Sequence, residues 1–290
     1  MQGFGRRLPR VLRVGLIGTG FWAATVHAPG IAAHPRTELV GVWGRDRTKG
    51  ATLAAQYGAQ SFSDVDGLIG AVDAVAFAVP PDIQSGLAVR AARAGRALLL
   101  EKPLALTREA ADRLVEAVRA PTVVFFTACF DPGVSAWFET EMRSSDWDGG
   151  SALFLSSIFE PGNPFGASQW RRDHGALWDV GPHALAWLLP TLGPAEQVAA
   201  VRGRGDEVHL ALRHATGAAS SVTLSLTASV EMTKAVFWGS KGLARMPGDV
   251  DVAAAYAAAI DALLTGDTRF DAEFGREVVR VLALANERLL

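Results

Sequence analysis

The sequence predicts an α/β protein: an N-terminal, doubly wound parallel sheet followed by a C-terminal α+β domain with a largely antiparallel sheet. Three observations predict it. Apolar runs alternate with helix-like segments over the first ~125 residues, as buried parallel strands and crossover helices require. A glycine-rich string, Gly18-Thr19-Gly20-Phe21-Trp22-Ala23, stands where the first strand gives way to the first helix. Past residue 128 the runs shorten, and turn signals such as Arg204-Gly205 and Thr216-Gly217 separate them.

Val11–Ile17 reads as a strand buried on both faces. A helix starts near Phe21 and ends before Pro35, and Glu38–Trp43 is the second strand. Lys49–Tyr57 is helical, with Gly58 as its stop. Ala59–Phe62 is a short strand and Asp64–Ile69 a short helix. Ala74–Val79 is a buried strand stopped by Pro80-Pro81, and Ile83–Ala94 a helix ended by Gly95. Ala97–Leu100 is the next strand; Thr107 caps a helix over Arg108–Arg119, and Val123–Thr127 closes the pattern. Thereafter Val134–Met142 is helical, Ala152–Phe159 a strand, and Glu160–Ala167 a loop. A helix follows Pro182 and stops at Pro190. Strands are expected at Gln197–Arg202, Asp206–His214, Ala218–Ala228 and Lys234–Gly239, and helices at Val252–Leu264 and Glu273–Leu290. The expected domains are 10–127 and 128–290, with a C-terminal helix able to return to the first.

The chain has 290 residues, 49% of them hydrophobic, which is enough for two cores. A formal net charge of −2 without a long basic run argues against nucleic acid as a partner. The single cysteine, Cys129, excludes an internal disulfide and a cysteine-rich metal site, and fits a reducing, cytoplasmic setting. Residues up to about Pro9 read as a frayed tail without a signal-peptide core. No apolar stretch has the length of a membrane span.

The glycine string has the context of a dinucleotide cradle: strand before, helix after, second strand about 30 residues on. Gly18 permits the tight turn, Gly20 lets a pyrophosphate approach the backbone, and Ala23 lets the helix close on the strand. The helix start at Phe21 and Trp22 offers N–H groups to the phosphates, and Trp22 is expected to line the cofactor. After the second strand, Gly44 occupies the position where an acidic residue would hold the ribose. Arg45 follows and matches a 2′-phosphate, which favours NADP; a slip of two positions would put Asp46 on the ribose and favour NAD.

Glu101-Lys102-Pro103 follows the strand Ala97–Leu100, so Lys102 stands at a strand's carboxyl end, where such sheets bind ligands. With GLIGTGFWA at 15–23, AVPPDIQ at 78–84, EKPLALT at 101–107 and GALWDVGPHAL at 175–185, the chain resembles the glucose–fructose oxidoreductase / inositol dehydrogenase / rhizopine catabolism family, Gfo/Idh/MocA. The resemblance implies a Rossmann domain for the cofactor, with contacts that include Val79, Pro80, Gln84 and Glu101. It also implies an open sheet that makes homodimers or homotetramers, a cis bond before Pro103, and catalytic roles for Asp179 and His183.

The chemistry agrees. Oxidising an alcohol with a nicotinamide requires a hydride acceptor, a base and a group that holds the oxygen. Lys102 can hold the oxygen, and Glu101 can orient Lys102 or meet the nicotinamide end. His183 suits the proton, with Asp179 tuning it or holding a hydroxyl. Trp170 and Arg171 are candidates for a ring wall and a polyol contact, and no metal site is expected. Gln84 stands where many relatives carry His, and Cys129 where they often carry Arg. The expectation is an NAD(P)-dependent oxidoreductase acting on a small sugar, polyol or related hydroxy/keto compound. Two alternatives are a dinucleotide-binding sensor or regulator without turnover, and a reductase of imines or unsaturated substrates.

Overall fold

The computed structural model describes residues 8–141 and 146–289; the expected frayed tail and the expected helix ends at Met142 and Leu290 fall wholly or partly outside them. The chain forms two compact units. One comprises the chain up to Phe125 with Val252–Arg276; the other comprises Phe126–Asp251 with the chain from Glu277 onward. The expected domains placed 252–276 in the second.

The first unit begins with β1 (Leu12–Ile17), then a π-helical turn (Ala23–His27) leading into α1 (Ala28–Ala33), β2 (Thr37–Trp43) and α2 (Arg47–Gln56). It continues through β3 (Gln60–Ser61), α3 (Val65–Ala71), β4 (Ala74–Phe77), α4 (Pro81–Arg93), β5 (Ala97–Glu101), α5 (Arg108–Ala117) and β6 (Thr122–Phe125). All strand pairs are parallel, in the order β3-β2-β1-β4-β5-β6. The central strands β1, β4 and β5 are almost wholly buried, which explains their unbroken apolar runs. Asp46, Asp64 and Thr107 cap α2, α3 and α5 through side-chain oxygens. The π turn was not expected. Pro29 has no N–H and its ring presses on the carbonyl of the residue four before it; a wider turn, closed by the Ala28 N–H on Ala23 O, accommodates it.

The second unit runs α6 (Thr127–Phe130), α7 (Pro132–Glu141), β7 (Trp147–Ser157), α8 (Gln169–Asp179) and α9 (Gly181–Leu192). The strands β8 (Ala195–Arg202), β9 (Val208–His214), β10 (Ala219–Ser225), β11 (Thr227–Gly239) and β12 (Gly242–Arg245) follow. Their sheet has the order β12-β11-β7-β10-β9-β8, antiparallel except for β7 with β10. Helix α9 packs against β7, β10 and β11. The chain then enters α10 (Val252–Thr265), which packs on β5, β6 and α1, and ends with α11 (Ala272–Glu287).

The structure departs from the sequence expectations at four points. Residues 170–172, to which the sequence assigned no element, lie on a helix, α8. Helix α9 does not stop at Pro190 but reaches Leu192; the Ala186 carbonyl that Pro190 cannot serve accepts the Cys129 thiol at 3.6 Å. The strand expected over Ala218–Ala228 breaks at Leu226. There the Asp206 carboxylate accepts from the Ser225 hydroxyl, the Leu226 N–H and the Thr227 hydroxyl, and turns the chain into β11. Finally, β11 is far longer than Lys234–Gly239, and β12 was not expected.

Candidate functional site

The order of the first sheet reverses between β1 and β4, which places a ligand crevice at their carboxyl ends. A cleft of about 350 Å³ lies there, lined by Gly18, Thr19 and Gly20 after β1, Trp43–Asp46 after β2, and Ala78–Pro80 after β4, with Lys49 and Ile83. Gly18 has φ +132°, and a Cβ there would stand 2.3 Å from Ala78 O. Gly20 differs: a Cβ there would meet nothing within 4 Å. The space before it is therefore clear of protein, as the approach of a pyrophosphate requires. Ala23 is wholly buried. Gly44 faces Thr19, whose Cγ2 would lie 2.6 Å from a Cβ at position 44.

The side of this cleft that follows β2 is cationic. Arg45 is exposed, and Lys49 stands one helical turn further along. Asp46, the acidic alternative, is engaged as a helix cap: its Oδ1 accepts the Lys49 N–H at 3.0 Å, and its Oδ2 lies 4.0 Å from Lys49 Nζ. No carboxylate occupies position 44. The residues present fit a nicotinamide dinucleotide.

The Glu101-Lys102-Pro103 segment is built tightly, and the Lys102–Pro103 bond is cis. Gln84 was expected to touch the cofactor; this is corrected, because its side chain is wholly buried and engaged with main chain. Its Nε2 donates to Glu101 O at 2.7 Å and reaches Pro103 O at 3.3 Å, and its Oε1 accepts the Glu101 N–H at 2.8 Å. The Glu101 carboxylate accepts the Trp22 indole N–H at 2.8 Å and lies 2.9 Å from His27 Nε2. Trp22 is thus tied to β5, while Phe21, half exposed, opens the helical stretch. The sequence reading missed His27 and Tyr256. A signal existed for His27, since Pro29 inside a helical pattern marks a local distortion.

In the second unit, Asp179 ends α8 and His183 lies in the first turn of α9, as the spacing predicted. Asp179 is 2% exposed and accepts from Arg171 Nε at 2.8 Å. Arg171, expected on substrate oxygens, is committed to Asp179, and its guanidinium lies 4.9 Å above the Phe165 ring. Trp170 stacks on His174 at 5.6 Å, and its buried Nε1 has no hydrogen-bond partner among the described residues. His183 stacks on Phe154, which stacks in turn on Trp187. Gly175, at φ +63° and ψ −166°, makes the bend inside α8 that a residue with a Cβ resists. Among the described residues no cluster of His, Cys, Asp and Glu suits a metal, and no helix is long and apolar enough to cross a membrane.

A doubly wound sheet with this cleft defines a dinucleotide-binding protein. Residues 12–128 match the profile of the Gfo/Idh/MocA family, described as an oxidoreductase family with an NAD-binding Rossmann fold. Residues 12–128 thus carry that family's Rossmann segment. The chain is 29% identical over 188 residues to a dTDP-3,4-didehydro-2,6-dideoxy-alpha-D-glucose 3-reductase of Streptomyces antibioticus, covering 63% of this chain and 57% of that one. It is 32% identical over 126 residues to inositol 2-dehydrogenase of Rhizobium meliloti, covering 42% and 38%. The chain spans about half the length of the curated relatives it matches first, 53%, 57% and 54%. Among solved structures, the WlbA dehydrogenase of Bordetella pertussis, in complex with NADH and UDP-GlcNAcA, shares the fold. Its TM-score is 0.83 at 22% identity, with 96% of each chain covered.

Proposed function

We propose that this protein is an NADP-preferring oxidoreductase that interconverts a hydroxyl and a carbonyl group on a sugar, polyol or related compound. The observation that carries the reading is the cleft after β1, β2 and β4, with clear space at Gly20 and two cations, Arg45 and Lys49, at its ribose side. When bound, the nicotinamide supplies the hydride acceptor or donor. Lys102 holds the reacting oxygen by a charge-assisted hydrogen bond and stabilises its developing negative charge. His183 takes the hydroxyl proton in oxidation and returns it in reduction. Asp179 serves His183 or a substrate hydroxyl, with Arg171 positioning Asp179 and Trp170 offering a ring wall. Glu101 and Trp22 belong to the nicotinamide side, where β5 ends.

The curated relatives named for sugar and inositol chemistry support this substrate class. Self-association through the outer face of the second sheet is part of the same reading. Val230, Met232 and Trp238 on β11 are exposed there at 55%, 45% and 42%, a row that a second copy would cover. The single thiol supports a reducing, cytoplasmic setting.

The test is separate titration with NADPH and NADH, read by nicotinamide fluorescence. We expect NADPH to bind about tenfold more tightly, and Arg45→Ala and Lys49→Ala each to erode that preference by a factor of about 5–10. NADH preference that survives Arg45→Ala overturns the NADP reading, and binding of neither overturns the cofactor assignment.

A further inference from the structure

Behind the Glu101-Lys102-Pro103 segment lies a buried polar chain that the chemistry above does not use. Tyr256, from α10, places its hydroxyl 2.9 Å from His27 Nδ1, and His27 Nε2 lies 2.9 Å from Glu101 Oε1. The Trp22 indole N–H donates to that same oxygen at 2.8 Å. His27 and Tyr256 are both wholly buried. With a neutral His27 ring the hydrogen bonds have one direction. A carboxylate only accepts, so His27 presents Nε2–H to Glu101; a neutral ring then accepts at Nδ1 from the Tyr256 hydroxyl. Burial first, and then the Glu101 charge, pushes the Tyr256 hydroxyl well above its ordinary range, so it remains a donor.

Local sequence is shaped around this chain. Pro29 accompanies the π turn that ends at His27, and Gly30 leaves room for the tyrosine: a Cβ at position 30 would fall 2.2 Å from Tyr256 Cδ1. The chain is not a route for protons to solvent. It ends at Tyr256, wholly buried, whose ring meets Phe125 edge-on at 5.1 Å. It therefore holds something in place, and what it holds is the end of β5. That strand end lies on the β4 side of the switch point, opposite the ribose-side cations after β2. A dinucleotide laid across the strand ends from Arg45 brings its nicotinamide half toward Glu101.

We infer that His27 and Tyr256 are positioning residues for the nicotinamide half of the cofactor site, acting through the Glu101 carboxylate and Trp22. The inference rests on the proposed dinucleotide cleft. Glu101 sets the His27 tautomer, Tyr256 holds the ring at Nδ1, His27 and Trp22 fix the Glu101 side chain, and Gln84 fixes its backbone. Lys102 follows directly on that clamped residue.

The test separates the two halves of the ligand. Wild type and Tyr256→Phe are titrated with NADPH and with 2′-phospho-ADP-ribose, which lacks nicotinamide; NADH and ADP-ribose are run alongside. Tyr256→Phe is expected to weaken the reduced dinucleotide about fivefold or more and to leave the fragment within about twofold. His27→Gln, which keeps a side-chain N–H for Glu101, is expected to retain more dinucleotide affinity than His27→Leu. Unchanged dinucleotide affinity in Tyr256→Phe overturns the inference. So does equal weakening of dinucleotide and fragment, which marks a role in folding alone. If wild type binds no dinucleotide, the cleft assignment itself fails, an outcome distinct from the other two.

Discussion

Replacing Gln84 by Met removes four hydrogen bonds to main chain, two of them short, at nearly constant volume, so the cost is that of unmet hydrogen bonds rather than of a cavity. The amide joins the Glu101 N–H at 2.8 Å and the Glu101 carbonyl at 2.7 Å, with longer reaches to Pro103 O at 3.3 Å and Leu104 O at 3.4 Å. Each buried backbone group left without a partner costs about 1–3 kcal/mol. The two groups on short bonds give a loss of about 2–6 kcal/mol, centred near 4. At roughly 2–4 °C per kcal/mol, the thermal midpoint should fall by about 8–16 °C. Gln84→Glu should cost more, because a carboxylate would face three carbonyl oxygens without a proton to offer. Urea unfolding at pH 8 followed by circular dichroism measures both, with calorimetry for the midpoint. A Gln84→Met protein within about 0.5 kcal/mol of wild type would refute the reasoning, since that is the range of surface substitutions.

Three other outcomes are expected. Gly18→Ala should destabilise the protein by about 2–5 kcal/mol, through its positive φ and the clash with Ala78 O, whereas Gly20→Ala should fold like wild type yet lose NADPH binding; denaturation and titration of both variants check this, and unimpaired NADPH binding by Gly20→Ala would sink the cradle. Arg171→Met should cost about 3 kcal/mol by removing a cationic partner of the buried Asp179 carboxylate, and adding Asp179→Leu should recover much of it; a double-mutant cycle showing plain additivity speaks against the pair. Buried His214 donates from Nδ1 to Gly193 O and accepts from Ser220 at Nε2, and burial lowers its pKa below 6.5. The folded chain therefore binds that proton less readily than the unfolded chain. The contribution is complete above pH 6.5 and declines as pH falls from 6.5 through the lowered folded value. From pH 7.5 to 5.5 the urea midpoint of wild type should fall toward that of His214→Gln, and parallel curves would contradict it.

Much of the first unit was legible because its signals are local. An apolar run with a glycine turn behind it identifies β1 and the cradle without reference to the rest of the chain, and caps such as Thr107 declare themselves. The second unit was harder to read for physical reasons. Helix α8 is bent at Gly175 and its 3.6-residue period is interrupted, so the sequence assigned no element to Trp170–Arg172. The first half of β11 is exposed over 229–234 and lacks the alternation of a half-buried strand. Pro190 looked like a terminator because nothing near it in sequence reveals that Cys129, far back in the chain, serves the carbonyl it frees. The same holds for Tyr256 and His27, whose partnership is a long-range fact of the fold.

Motif reading tends to give every polar residue of a motif a ligand, and Gln84 shows why this overcounts. A polar side chain at a strand end can meet a ligand or the backbone that presents one, and burial decides between them. Gln84 is wholly buried, and both ends of its amide are engaged by the Glu101 main chain, so its contribution to the site is geometric. Asp46 makes the same point at the ribose end: an oxygen that caps α2 is not an oxygen reserved for a ribose hydroxyl. Arg45 lies at the other extreme, exposed on the cleft rim with its charge directed to no carboxylate by any ion pair among the described residues. The physical case for a phosphorylated ribose therefore rests on what Asp46 is doing as much as on Arg45 being present. Removing the cap tests that logic directly. Asp46→Ala should weaken α2 by about 1 kcal/mol while leaving the proposed NADPH preference intact, whereas a ribose-binding Asp46 would show the reverse.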